Sequence, residues 1–238
     1  MSEPYIIFNG VDSRAMGVVI EQLPDFHRPA RRVEQTDIPG SSMPVIVDEG
    51  GYDSYQTQLI VNAMGGSLRT LYNWLRGEGW LISSDEPDYK AWVHMYAQIT
   101  DSRFRVEEGC YDSITVQLTV LPYLREVEEE SVPLTAAGSF AGKGSDSAQP
   151  ILAIEGEGDV TVTINGVPVL VSGLEGTIYL DCEAGIAYTE ADGAREWAGG
   201  MVTLTDGWPE LLPAGGTNAV TWEGSVSSVT IQPQWRYL

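Results

Sequence analysis

Residues 160–171 read VTVTINGVPVLV, in which two runs rich in β-branched residues flank Asn165-Gly166. Apolar and polar residues alternate in the first run, as they do in a half-buried strand, and Asn-Gly tolerates the positive φ angles of a two-residue hairpin turn. This stretch therefore predicts a β-hairpin. About eight strand-like runs lie between residues 151 and 233 without a helical period, which indicates an all-β domain of the sandwich or jelly-roll type.

The first half of the chain combines similar runs with one helical segment. Its strand-like stretches are separated by turn residues: Tyr5–Phe8, Gly17–Ile20, Gln58–Val61, Trp80–Ile82, Ala91–Ala97 and Ser113–Val120. Apolar residues recur at the spacing i, i+3, i+4 and i+7 in one place: Leu68, Leu71, Tyr72 and Leu75. Ser67 is suited to the N-cap of this segment and Gly77 to a left-handed C-cap, so we expect an amphipathic helix of about three turns. The N-terminal half is predicted to be an α+β domain of antiparallel sheets with one helix.

Composition changes near the middle of the chain. Residues 125–130, REVEEE, form an acidic run, and residues 136–147 are mostly Ala, Gly and Ser. A segment with so few large side chains is typical of a linker, because it buries little apolar surface. We therefore predict an N-terminal domain at 1–130, a linker at 131–149 and a C-terminal β domain at 150–238.

The chain is strongly acidic. Lys and Arg total 13 against 34 Asp and Glu, so the formal net charge is −21 and the pI is about 4.2. Such a surface argues against a partner bound through phosphate neutralisation, whether nucleic acid or anionic lipid. No apolar stretch approaches the roughly 20 residues of a membrane span, and the first residues lack the features of a signal peptide. We expect synthesis in the cytoplasm without secretory export.

Few residues are suited to catalysis or metal binding. The sequence has two histidines, His27 and His94, and two cysteines, Cys110 and Cys182, which are too few for a metal motif. In a cytoplasmic protein, two buried reduced thiols are favoured over a disulfide. No serine or cysteine stands in a nucleophile-elbow motif, and the acidic turn Asp85–Asp88 lacks the ligand spacing of a calcium loop. We predict no enzymatic activity, no metal and no cofactor.

Two groups of residues are candidates for binding. Arg28, Arg31 and Arg32 form a basic cluster in the acidic chain and are candidates for an ionic contact with a neighbouring subunit, for which a solvated turn is the alternative. Trp197 and Trp208 lie near glycine-rich loops and are candidates for a sugar-stacking surface. Ordinary packing within the β domain is the alternative for both tryptophans.

Several short motifs occur in an order that is more specific than any one of them. In the first half they are Phe8–Ser13, Gly17–Ile20, Ile38–Gly40 and Gly51-Tyr52. In the second half they are Pro150-Ile151, Thr163–Gly166, Ile178–Asp181, Trp208–Leu211, Asn218–Gly224 and Pro233–Arg236. Taken together, and over nearly the whole chain, they resemble the distal tail protein (Dit) family of bacteriophages and prophages with long, non-contractile tails.

The resemblance implies a structural protein at the tail tip of a virion, made in the cytoplasm of the host bacterium. Members of this family form a hexameric ring, in which N-terminal domains surround a central channel for DNA and galectin-like β-sandwiches project outward. The implied partners are the tail tube protein, the tail-associated lysin or tip protein, and receptor-binding or baseplate proteins. Neither specific nucleic-acid binding nor membrane insertion is implied. The alternative function is a carbohydrate-binding module for the host surface.

Overall fold

A computed structural model shows two compact units. The first unit extends to Val127, and the second extends from Glu128 to Tyr237. Strands make up 62% of the structure and helices 6%, which confirms the prediction of a mainly β protein. The structure describes the following residues: 3–40, 42–64, 68–95, 99–100, 103–105, 110–191 and 193–238.

The first unit consists mainly of one large antiparallel sheet. Its strands are β1 (Ile6–Phe8), β2 (Val11–Asp12), β3 (Val18–Gln22), β4 (Arg31–Thr36), β5 (Val45–Tyr52), β6 (Tyr55–Met64), β7 (Gly77–Ser83), β8 (Tyr89–Met95), β9 (Ile99–Thr100), β10 (Arg103–Arg105) and β11 (Cys110–Glu126). The sheet has the order β2-β1-β7-β8-β11-β6-β3, and β9 and β10 also pair with β11. Strands β4 and β5 form a separate two-stranded hairpin.

The core of the first unit lies on one face of the large sheet. Alternate residues of its central strands are fully buried, including Leu59 on β6, Val93 on β8 and Val116 on β11. Leu71 and Leu75 pack into the same cluster, as the helical spacing predicts. The helical segment therefore covers the apolar face of the sheet.

Within the described residues, the helix is shorter than predicted. Helix α1 comprises Leu68–Trp74, seven residues, instead of about three turns. Gly77 adopts a φ of +82° and begins β7, so the chain enters the sheet soon after the helix ends. The left-handed geometry of Gly77 is the one predicted for it, whereas the predicted N-cap, Ser67, lies outside the described residues.

The second unit is a single antiparallel sheet. Its strands are β12 (Val132–Leu134), β13 (Gly138–Ala141), β14 (Ile151–Ile164), β15 (Val167–Asp181), β16 (Ile186–Ala191), β17 (Ala194–Trp197), β18 (Val202–Leu204) and β19 (Thr217–Gln232). The order is β12-β19-β14-β15-β16-β17, with β13 also paired to β19 and β18 to β15. The predicted hairpin joins β14 to β15: Ile164 lies opposite Val167, and Asn165 and Gly166 have φ angles of 52° and 86°.

The long strands bend, so the sheet curls around one core. Strand β14 is 14 residues long, and its register with β15 shifts between Gly158 and Val160. Such irregularities kink a strand and increase its twist. Residues near opposite ends of β14, such as Leu152 and Ile164, consequently belong to one buried cluster.

The predicted linker at 131–149 differs from the structure. Strands β12 and β13 lie within it and pair with β19, and Ala148 forms a bridge with Leu211. Strand pairing through the backbone requires no large side chains. A paired segment can therefore have the composition of a linker. At Gly142, a Cβ atom would overlap the carbonyl oxygens of Leu212 and Pro213. Close backbone approach therefore explains at least one of the small residues.

Candidate assembly surface

The β4–β5 hairpin is not covered by any described part of the chain. All residues of β4 and the first seven residues of β5 are exposed. Ile46 is 64% exposed, and Met43 in the connecting segment is 76% exposed. A two-stranded hairpin is marginally stable in water without a covering layer, and its open edges can pair with another chain. The hairpin is therefore a candidate binding element.

Both faces of the hairpin carry apolar side chains. Gln35 lies opposite Ile46, and Glu34 lies opposite Val47. Because side chains alternate between faces along a strand, Val33 and Ile46 share one face while Val45 and Val47 share the other. A surface that binds one face alone would leave the second apolar row exposed, so the arrangement favours insertion between two surfaces.

Ionic and aromatic contacts hold the base of the hairpin. Arg31 Nε donates to Asp48 Oδ2 at 2.6 Å, and Arg31 Nη1 donates to the Tyr52 hydroxyl at 3.2 Å. The Arg31 guanidinium also lies 5.4 Å from the centre of the Tyr52 ring. Tyr52 is buried and makes an edge contact with Tyr123 of the large sheet, at 5.9 Å between ring centres. These contacts connect the hairpin to the folded core of the first unit.

The pKa values of this ion pair follow from its hydrogen bonds. The backbone N–H of Gly50 and then the Arg31 guanidinium lower the pKa of Asp48. The hydrogen bonds from Arg31 to Asp48 and then to Tyr52 raise the pKa of Arg31. Both side chains are exposed, so the pair orients the hairpin and contributes little to stability.

The structure separates the three arginines that the sequence groups together. Arg31 and Arg32 lie on β4, and Arg32 Nε donates to Asp53 Oδ1 at 3.0 Å. Both are therefore paired within the chain. Arg28 is exposed, precedes the hairpin, and has no ion pair in the described ranges.

The hairpin is not among the predicted strands, although the sequence contains a local signal for it. Val45-Ile46-Val47 is a β-branched run that follows Gly40 within a few residues, and Gly40 has a φ of +84°. The preceding run, Arg31–Thr36, has only one apolar residue and was not recognised as a strand. Strand patterns predict half-buried strands, and this one is exposed on both faces.

The two candidate tryptophans have different surroundings in the second unit. Trp208 is partly buried and packs against the core cluster. Trp197, on β17, is 77% exposed. The structure records no ring contact between the two within the described residues, so a sugar-stacking surface would rely on Trp197.

Trp197 continues a row of aromatic residues across three strands. Tyr179 on β15 lies opposite Tyr188 on β16, and Tyr188 lies opposite Trp197 on β17. The two tyrosine rings are stacked at 5.2 Å between centres with an interplanar angle of 10°. Arg195 covers Tyr188, with Cζ 4.5 Å from the ring centre. The burial of Tyr188, more than the nearby carboxylates, raises its pKa.

Features of other kinds of site are sparse in the described ranges. No group of three or more His, Cys, Asp or Glu is arranged to hold a metal ion. An open groove of about 390 Å³ at the bend of the second sheet is lined by residues that include Glu155, Glu157 and Ser225. The Glu155 carboxylate accepts a hydrogen bond from Ser228 at 3.0 Å. Among the described helices, none is long and apolar enough to cross a membrane.

The fold of these two antiparallel β units is similar to that of solved phage hub and baseplate proteins. The chain superposes on the SPP1 Dit protein, described as a paradigm of the hub adsorption apparatus in phages that infect Gram-positive bacteria, with a TM-score of 0.73 and 12% identity. The match covers 98% of this chain and 99% of that chain. The resemblance to the distal tail family is thus confirmed at the level of the fold.

Two further similar structures are chains of the phage P2 baseplate in its activated conformation. The structure with Ca gives a TM-score of 0.52 at 9% identity and covers 100% of both chains. The structure with Sr gives a TM-score of 0.53 at 9% identity and covers 98% of this chain and 99% of that chain. No protein-family model matches the sequence, and a search of curated proteins finds no match.

Proposed function

We propose that this chain is a structural component of a phage tail tip or baseplate, with no enzymatic activity. The observation that carries the proposal is the match in fold to the SPP1 Dit hub over 98% of this chain and 99% of that one. Because the match in fold covers both units and not one alone, the two proteins share the same combination of units. The proposed role is that of a hub that joins the tail tube to tip and receptor-binding components.

The hub would assemble as a hexameric ring from copies of this chain. Ring closure requires two different surfaces on each subunit, so that one surface of each copy contacts the other surface of the next copy. The β4–β5 hairpin is our candidate for one of these surfaces, since its two apolar faces are uncovered. A slot on the neighbouring copy would supply the covering layer that the described chain does not provide.

The charge of the chain is compatible with a channel for DNA. A net charge of −21 disfavours retention of the phosphate backbone of DNA. The same charge also keeps a subunit dispersed before assembly. The charge is compatible with the proposed function, which rests on the fold and on the exposed hairpin.

The assembly proposal is tested by the mass of the purified protein from light scattering after size-exclusion chromatography, followed by negative-stain imaging. We expect a species of six subunits with a central hole. Val33→Ser with Ile46→Ser, on one hairpin face, should shift it towards the monomer. Leu212→Ser is a matched control, because Leu212 is 43% exposed on the second unit. A wild-type protein that stays monomeric with purified tail tube and tip partners present would contradict the proposal.

A further inference from the structure

Strand β17 ends the sheet of the second unit, and its outer edge is not paired within the described residues. On its inner side it pairs with β16, with Tyr188 opposite Trp197 and Glu190 opposite Arg195. All four residues of β17 are exposed. An open edge of this kind can accept a strand from another chain, in the mode of recognition called β-augmentation.

The register of β17 determines which backbone groups point to the open edge. Ala198 N donates to Ala187 O at 2.9 Å, so this opposed pair is hydrogen-bonded. In an antiparallel ladder, bonded and non-bonded pairs alternate. Trp197 and Arg195 therefore occupy non-bonded positions with respect to β16, and their N–H and C=O groups point outward, away from the sheet.

The indole of Trp197 lies against Gly199, beside these backbone groups. A Cβ atom on Gly199 would lie 2.6 Å from Cζ2 and 2.8 Å from Nε1 of Trp197, so the ring rests where this glycine leaves space. At 77% exposure, most of the indole nevertheless remains accessible. Aromatic anchors with few accessible rotamers dominate many protein interfaces, because they bury a large area at a small cost in entropy.

The charge of the second unit favours a basic partner. Residues 128–237 contain three basic residues, Lys143, Arg195 and Arg236, against sixteen Asp and Glu, a net charge of −13. Arg195 Nε lies 3.4 Å from Glu190 Oε1, and Arg236 Nη2 lies 2.9 Å from Glu183 Oε1. Two of the three basic side chains are thus neutralised within the chain, and the surrounding field attracts cations.

We propose that the edge of β17 binds an extended, basic segment of a partner protein, which joins the sheet as an additional strand beside Arg195 and Trp197. Backbone hydrogen bonds to these two residues set the register of the segment. A side chain of the segment packs on the Trp197 indole, and its Lys or Arg side chains face the acidic surface. The inference goes beyond the proposed structural role and involves the second unit alone, so either can fail while the other holds.

The probe for this inference is a fluorescently labelled peptide of about nine residues that alternates Lys with Val and Thr. Its binding to the full chain is measured by fluorescence anisotropy. We expect the peptide to bind, and to bind more weakly as salt is added, because screening reduces the attraction. A peptide with Glu in place of Lys, and one with alternate amides N-methylated, should not bind. The N-methylated peptide tests the backbone bonds without changing the protein.

Two substitutions in β17 distinguish the contribution of the Trp197 side chain to peptide binding from that of the backbone hydrogen bonds. Trp197→Ala should weaken peptide binding by at least about tenfold. Arg195→Pro removes an outward N–H that makes no bond to β16, and should weaken binding by about tenfold as well. Arg195→Ala is the matched control, since it removes the same side chain and keeps the N–H, and it should bind at least as tightly as the wild type. Leu170→Ala, another exposed apolar residue of this unit, should have no effect.

Absence of binding by the basic peptide would overturn the proposal. Equal affinity of the wild type, Trp197→Ala and Arg195→Pro would overturn it too. If the peptide fails and a neutral oligosaccharide binds with loss of affinity in Trp197→Ala, then Trp197 is a sugar-stacking residue and strand addition is wrong. If Arg195→Pro does not fold, comparison of the unmodified and N-methylated peptides on the wild type decides the question.

Discussion

The side-chain amide of Asn9 lies over Gly79, so that a Cβ atom at Gly79 would overlap its Cγ, Oδ1 and Nδ2 atoms. Asn9 Oδ1 accepts from Trp80 N at 3.2 Å, and Asn9 Nδ2 donates to Glu78 O at 3.2 Å. Asn9 and Gly10 form the turn between β1 and β2, with φ angles of 50° and 78°. These hydrogen bonds attach the turn to β7. They are possible because Gly79 has no side chain.

Gly79→Ala should destabilise the first unit by about 1–2 kcal/mol, because Asn9 must move and lose its hydrogen bonds. In a double-mutant cycle, Gly79→Ala should cost less when Asn9→Ala is already present. Denaturant unfolding measures both. Gly138→Ala is the control, since a Cβ there would meet its nearest atoms at 3.7 and 3.8 Å. Additive costs in the cycle would contradict the proposed steric coupling.

Asn218 is a second polar side chain on which a turn depends, and it is fully buried. Its Oδ1 accepts from Leu212 N at 2.8 Å and from Asn165 Nδ2 at 2.8 Å. Asn218→Ala leaves both donors without this acceptor, so we expect a loss of about 2 kcal/mol in the free energy of unfolding. Ser227→Ala, which removes an exposed hydroxyl bonded to Glu155 O at 3.1 Å, should change it by less than about 0.5 kcal/mol.

The thiol of Cys182 makes stability dependent on alkaline pH. Cys110 and Cys182 are both buried, as predicted. Burial first, and then the charge of Asp181, raise the pKa of Cys182 from 9.0 to about 12. The unfolded chain therefore loses this proton before the folded chain does. The stabilising contribution is fully present below pH 9 and is lost as the pH rises from about 9 to 12.

Cys182→Ala should consequently lose less stability than the wild type as the pH rises. Between pH 8 and pH 10, the free energy of unfolding of the wild type should fall by about 1.4 kcal/mol more than that of Cys182→Ala. Urea unfolding at both pH values measures it. Burial raises the pKa of Tyr55 to about 12. Tyr55 titrates equally in both proteins, so its contribution cancels from the comparison. If the free energies of unfolding of the two proteins change in parallel with pH, then Cys182 does not cause the loss of stability at alkaline pH.

Arg28 is the arginine of the basic cluster that we expect to contact a neighbouring subunit. Arg31 and Arg32 already pair with Asp48 and Asp53, whereas Arg28 has no ion pair in the described part of the chain. Arg28→Glu should weaken ring assembly and reduce its dependence on salt, as measured by light scattering at several salt concentrations. Arg69→Glu, an exposed change on α1, is the control. Identical salt profiles for Arg28→Glu and the wild type would leave Arg28 as a solvated residue.

Local patterns predicted the elements that depend on local conformation. The turn at Asn165-Gly166 follows from the tolerance of these residues for positive φ, and it is present in the structure. The burial of Leu71 and Leu75 follows from helical spacing, and the mainly β class follows from the many short strand-like runs. The helix end was less well predicted, because the start of β7 at Gly77 competes with its last turn.

The candidate site was predicted less completely, because exposure is not a local property. Trp197 and Trp208 look alike in the sequence, yet one is exposed and the other packs against the core. Arg31 and Arg32 look available in the sequence, yet acidic partners on and beside β5 pair with them. These partners are 17 and 21 residues away in the chain, beyond any local pattern.

By itself, the sequence determined the mainly β class, the Asn-Gly turns and the strong negative charge, since these depend on backbone preference, side-chain alternation and composition. Tertiary structure decided that residues within 131–149 pair with β19 and that the long strands curl around one core. It also decided that no described segment covers the β4–β5 hairpin or pairs with the outer edge of β17. The physical reason is that pairing and burial depend on distant segments. Whether a strand edge or an apolar face is satisfied is determined by which part of the chain folds against it.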